Sequence, residues 1–199
     1  MRSYDSATAA YMAARSPIHA HALVWVAARN RETGLSETIG FWTGDDHRDF
    51  VVAGSTRTYY GAGAALGVDP IRRGTGLQVR TQRLSLSGIA PEVQLAVRGY
   101  DVRHAVIEIH RAVFDPLTLA LVAPPHRLFK GYIDKLRFQT GAKGEASSVD
   151  LDVASGARAL ATPLSRKRSD ASLRARMPAD AFRQYASQAD AVETRWGSA

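Results

Sequence analysis

GYIDKLRFQTG (Gly131–Gly141) runs as a strand, turns through Ala142–Glu145 and returns as ASSVDLDVASGARAL (Ala146–Leu160). Two extended runs joined by a glycine-bearing polar tip read as a long β-hairpin. The chain then passes into PLSRKRSDASLRARMPADAFRQYASQADAVETRWG (Pro163–Gly197), where β alternation stops and arginine dominates. A hairpin handing over to a basic arm suits a self-assembling subunit better than an enzyme pocket. The fold expected is mainly β, with three parts: an N-terminal helix over residues 1–18, a β domain over 19–162 and a C-terminal arm with short helices over 163–199.

Upstream, the same reasoning gives further strands. SYDSATAAYMAAR (Ser3–Arg15) is Ala-rich, has Asp5 or Ser6 to cap it and Pro17 to stop it, and so reads as a short helix. His19–Ala28 and Glu37–Trp42 are β-like runs across the turn-rich Asn30–Gly34. Gly44–Arg48 makes a tight polar turn, and Asp49–Ala53 with Arg57–Tyr60 forms a second hairpin through Gly54-Ser55. The sheet is expected to be a meandering antiparallel one.

In Gly76–Ser87, Leu77, Val79 and Thr81 alternate with Gln78, Arg80 and Gln82, with a bulge near Arg83 shifting the phase to Leu84 and Leu86. Pro91 starts a short helix over Glu92–Val97 that Gly99 ends. His104–Phe114 alternates again, Val106, Glu108 and His110 against Ile107, Ile109 and Arg111. These elements add up to an antiparallel sandwich or barrel with small helices. In the arm, Ser169-Asp170 and Pro178-Ala179-Asp180 are caps for two helices. The second, Asp180–Ala189, sets Phe182, Tyr185 and Ala189 on one stripe that needs a docking surface.

Composition bounds the function. At 199 residues, 45% apolar and 23% charged, the chain fits one folded unit with an extension. No apolar run reaches the length of a membrane span and no secretory signal opens the chain, so the expectation is a cytoplasmic product without membrane contact. With no cysteine, disulfides, thiolate nucleophiles and cysteine-ligated metals are excluded. A net charge of +7 invites a nucleic-acid reading, with Arg166, Lys167 and Arg168, followed by Arg174 and Arg176, as the dense group. No recognition motif accompanies that group, and guanidinium forks equally serve carboxylates of neighbouring subunits.

Catalytic readings are poor. His19 and His21 share one side of a strand and, with Asp45, Asp46, His47 and Asp49, would assemble a metal site. The competing reading is that the Asp residues cap their own turn and Arg48 pairs across it. Asp150 and Asp152 share one strand face, either as paired carboxylates or as a solvated surface. There is no nucleophile elbow, phosphate loop or dinucleotide fingerprint. No catalytic residue, metal or cofactor is expected.

Four stretches carry a resemblance. FWTGDDHRDFVVAGSTRTYYGAG (from Phe41), VRHAVIEIHRAVFD (from Val102), FKGYIDKLRFQTGAKGEASSVDLDVASGARAL (from Phe129) and the ending SRKRSDASLRARMPADAFRQYASQADAVETRWG (from Ser165) follow one another as in tail-tip hub proteins of long-tailed phages and gene transfer agents, which the chain resembles from Phe41 to Gly197. Many such hubs carry a C-terminal cysteine cluster for an iron–sulfur centre, which this chain lacks. A distal tail protein or a tube-to-baseplate adaptor ring is the alternative.

The resemblance implies a tail-tube type fold in a virion structural protein made in the host cytoplasm. It implies a homo-oligomeric ring around the DNA exit channel, threefold for a hub or sixfold for a distal tail ring, with tail-tube and tail-tip proteins as partners and DNA in transient passage. Phe182, Tyr185 and Trp196, with Arg166, Lys167 and Arg168, are then the interface candidates, docking on a neighbour. Folding back of the arm on its own domain is the competing reading.

Overall fold

A computed structural model describes residues 4–71, 78–87, 98–142, 147–161, 168–186, 188 and 197. The chain divides into two compact units, Met1–Leu160 and Ala161–Ala199. The first is mainly β: a curled, mixed half-barrel sheet of nine strands among the described residues. Helix α1 (Ser6–Ala13) precedes β1 (His19–Asn30), β2 (Ser36–Trp42), β3 (Arg48–Val52), β4 (Ser55–Gly61), β5 (Leu66–Val68), β6 (Thr81–Ser87), β7 (Tyr100–Phe114), β8 (His126–Gln139) and β9 (Ser148–Ser155). Strand order across the sheet is β3-β4-β2-β1-β7-β8-β9-β6-β5.

The expected hairpins form. β1 and β2 pair antiparallel with Trp25 opposite Gly40, and β8 pairs with β9 with Ile133 opposite Val153. The tip of that hairpin, 143–146, lies outside the described residues. β3 and β4 turn at Ala53-Gly54, one residue earlier than expected, with φ of 51° and 81°. Two consecutive left-handed residues define the turn that matches the natural twist of a two-residue hairpin.

The sheet is not a pure meander. β4 meets β2 in parallel, Phe41 beside Tyr60 and Trp42 beside Gly61. The GDDHR turn carries β3 across, and it is pinned where Trp42 Nε1 donates to the Asp46 carbonyl (2.7 Å). Gly61 has no side chain because a Cβ there would strike the Asp45 carbonyl.

One face of the curled sheet buries a core drawn from most of its strands, including Val24, Val26, Leu84, Leu86, Ile107, Ile109, Ile133, Leu151 and Val153. Each such side chain contributes about 1.5–3 kcal/mol by leaving water. A second cluster lies where the β3–β4 hairpin covers Leu23, Ala112 and Phe114 with Phe50, Val52 and Tyr59. Strand β7 runs between the two clusters and is buried on both faces from Ile107 to His110.

β6 departs from the expected phase. Its register to β9 runs unbroken from Thr81 opposite Ala154 to Ser87 opposite Ser148, with no bulge at Arg83. Gln82, Leu84 and Leu86 therefore share the buried face, and Gln82 is accommodated because its amide donates to the Asp69 carbonyl (2.5 Å). The expected helix at Glu92–Val97 and the start of the expected strand at Gly76 and Leu77 lie outside the described residues.

α1 starts where expected: the Asp5 carboxylate accepts from the Thr8 amide (2.9 Å) and hydroxyl (2.6 Å). After β9 a short helix α2 (Arg158–Ala161) begins, and Arg158 pairs with Asp134, the extra residue of a β-bulge in β8. In the second unit α3 (Asp170–Arg176) is capped by Ser169, as its sequence predicts. The second arm helix does not form over the described residues: 182–186 are successive turns, bonded Gln184 N to Ala181 O and Ala186 N to Arg183 O. Three-residue closures of this kind give turns rather than a continuous α-helix.

Candidate functional site

Glu108 sits in the doubly covered stretch of β7 and is 8% exposed. Its cross-strand neighbours are Trp25 on β1 and Lys130 on β8. Arg57, from the hairpin folded over this face, lays its guanidinium 5.1 Å above the Trp25 ring and donates from Nη1 to Glu108 Oε2 at 2.9 Å. Lys130 Nζ lies 3.0 Å and Arg127 Nη1 3.5 Å from the other carboxylate oxygen. Leu128, the extra residue of a second bulge in β8, puts Arg127 opposite His110.

Burial alone would raise the Glu108 pKa, but hydrogen bonds and charge from Arg57 and Lys130 outweigh it and bring it to about 2. His110, 2% exposed, is pushed down to about 4, first by burial; nearby Glu108 pulls it up, while Arg57 and Arg127 push it further down. It is neutral at physiological pH. Among the described residues its Nδ1 has no hydrogen-bond partner, while burial raises the pKa of the Tyr59 hydroxyl and a hydrogen bond with Arg57 offsets part of the rise. Arg57, Glu108, His110 and Arg127 line a cleft of about 540 Å³ together with Asp5, Val52, Pro124, Pro125 and His126.

The histidine–aspartate set does come together, as a cleft of about 400 Å³ holding His19, His21, Asp45, Asp46 and His47. Its geometry is aromatic rather than ligating. The His21 ring lies 4.5 Å from His19 and 5.1 Å from Trp42, and its Nδ1 is 3.0 Å from Thr43 Oγ1. Burial and the neighbouring His19 lower the His21 pKa. His47 packs edge-on to Tyr60, and its Nδ1 accepts from the Gly61 amide (3.4 Å). Among the described residues no three His, Cys, Asp or Glu side chains are grouped to hold a metal. Arg48 stacks over Phe50 and Phe114 instead of pairing across the turn.

Asp152 is held between Arg137 (2.6 Å) and Arg83 (3.4 Å), and Asp150 takes a bond from Gln139 (3.4 Å). This is an ion-paired strand face, not a carboxylate pair aimed at a common substrate. Of the interface candidates, Phe182 and Tyr185 are 87% and 68% exposed, and Arg168 is exposed with its carbonyl accepting from Arg183. Arg166, Lys167 and Trp196 lie outside the described residues.

The Glu108 group escapes sequence reading because its partners come from β4 and β8. The available signal was local: VIEIH places an acid and a histidine inside a strand otherwise apolar on both faces. No protein-family model matches the chain, and no curated protein matches it.

Proposed function

We propose that the chain is a structural subunit of a phage-like tail tip, a hub ring that joins the tail tube to the tip apparatus around a DNA channel. A distal tail or adaptor ring is the alternative within the same class. The observation that carries the reading is the open half-barrel: among the described residues β3 and β5 each have one neighbour and leave an unpaired edge. Unpaired strand edges are ready donors of contacts between copies, and a ring closes when each copy offers one surface to a different surface of the next. The exposed aromatics Phe182 and Tyr185 supply the anchors that interfaces favour. The sequence resemblance from Phe41 to Gly197 gives the assembly its class.

Strand β3 provides the test. Val52 and Ser55 flank the two-residue turn and face each other in hydrogen-bonded register, so the Val51 amide points to the open edge. Val51 is half exposed, and proline there removes an outward donor while leaving the hairpin bonds intact. The ring proposal predicts an oligomer by light scattering for the unmodified chain, and predicts that Val51→Pro loses it while keeping the β circular-dichroism spectrum. Retention of the same mass would remove β3 from the ring contact.

A basic-cluster DNA-binding module is the second class. It predicts DNA affinity by the isolated chain that falls steeply with salt.

A further inference from the structure

We propose that the β3–β4 hairpin is a hinged flap over β7 that acid releases by protonating His110. The pairing shows the hinge. β3 pairs with residues 55–59 of β4, and among the described residues the hairpin joins the ladder of the larger sheet only where Tyr60 and Gly61 meet Phe41 and Trp42. Beyond that point side chains hold it down: Phe50, Val52 and Tyr59 pack with Leu23, Ala112 and Phe114, Arg48 lies 5.0 Å over the Phe114 ring, and Arg57 donates to Glu108. β7, by contrast, is bonded through its backbone to β1 on one side and β8 on the other. The hairpin is therefore the part that yields when the space beneath it must admit water.

His110 supplies the trigger. It stands two residues from Glu108 on the side of β7 that the hairpin covers, with Nε2 3.9 Å from Glu108 Oε2 and Nδ1 buried without a hydrogen-bond partner among the described residues. A neutral imidazole keeps one ring nitrogen as an acceptor; protonation makes both of them donors, so a buried N–H is left unbonded. The charges facing the ring are Arg57 from β4, Arg127 and His126 from β8 and Glu108 from β7 itself, with Leu23 opposite on β1. Glu108 is already held by Arg57, Arg127 and Lys130. Between pH 7 and 5 three neighbouring groups keep their charge state: hydrogen bonds from Thr8 hold Asp5 below 3.8, burial holds Tyr59 above 10.0, and Glu108 titrates at about 2. Burial first, and then Arg57 and Arg127, hold His110 at about 4 with the flap shut, against the pull of Glu108. With the flap open the ring returns toward 6.5, so acid favours the open form as pH falls from 6.5 to about 4 and has no such effect above it. The switch does not depend on ring assembly.

The test is amide hydrogen exchange of the full chain at pH 7 and pH 5, corrected for intrinsic rates. It is read at Phe50 and Arg57, which face each other across the hairpin in hydrogen-bonded register, and in β8 and β9. A detached two-stranded hairpin is at best marginally stable, so these two amides report its release. At pH 7 they are expected to be less protected than the amides of β8 and β9, and their opening to rise roughly 20-fold on going to pH 5. His110→Gln is expected to abolish that rise. Equal protection in the hairpin and in β8 and β9, which marks opening only with the whole sheet, would overturn the proposal. So would the absence of a rise at pH 5, or a rise that persists in His110→Gln. The first two outcomes are read on the unmodified chain and need no variant to fold.

Discussion

Glu108 is the residue on which the hairpin layer is seated, since Arg57 reaches it across β4 and Lys130 from β8. Replacing it by glutamine leaves three cations, Arg57, Arg127 and Lys130, facing a buried amide. The expected cost is about 2 kcal/mol, read as a lower urea midpoint with an unchanged slope. The pH dependence follows from the same pair. Glu108 titrates lower folded than unfolded, so its stabilisation is full above 4.5 and is lost as pH falls toward about 2. His110 resists protonation when folded, so the unfolded chain gains a proton first, and stability falls between pH 6.5 and about 4. That gap is worth roughly 3 kcal/mol, and His110→Gln flattens this part of the stability profile in denaturant titrations run from pH 7 to 4. Neither residue was legible as a site: a strand's own sequence records its alternation, not which distant side chain will lie above it.

Hairpins were the elements most readable in the sequence, because turn chemistry and alternation are local. Asn30–Gly34, Gly44–Arg48 and the β8–β9 runs fall where those signals put them. The parallel contact of β2 with β4 was not readable, since it depends on how the GDDHR turn swings β3 across the sheet, fixed by Trp42 and the missing side chain of Gly61. The phase of β6 was misread because Gln82 looks solvent-facing until Asp69 offers its carbonyl. The second arm helix had an amphipathic stripe, but over the described residues its backbone closes in three-residue turns, as Gln184 N to Ala181 O and Ala186 N to Arg183 O. One element invites improvement. Ala53 holds a φ of 51°, where a Cβ is unfavourable, so Ala53→Gly is expected to raise the thermal midpoint, by about 0.5–1 kcal/mol of added stability. A lower midpoint would show that the turn relaxes to another type.

At the scale of the whole molecule, the ring proposal rests on an open curled sheet whose edge strands β3 and β5 have one neighbour each among the described residues, and on a second unit with Phe182 and Tyr185 exposed. Mainly β architecture was legible from period-two runs and glycine turns; half-closure was not, because no local pattern states whether the last strand meets the first. The central claim is ring assembly, and the measurement that tests it most directly is the absolute mass of the purified full chain by light scattering, alone and with its adjoining tail protein, at moderate and low salt. The account predicts a discrete species of about three times 21.6 kDa, or of six times for the adaptor alternative, formed alone or on adding the partner. A particle of 21.6 kDa under every condition, binding DNA with a steep dependence on salt, would contradict it.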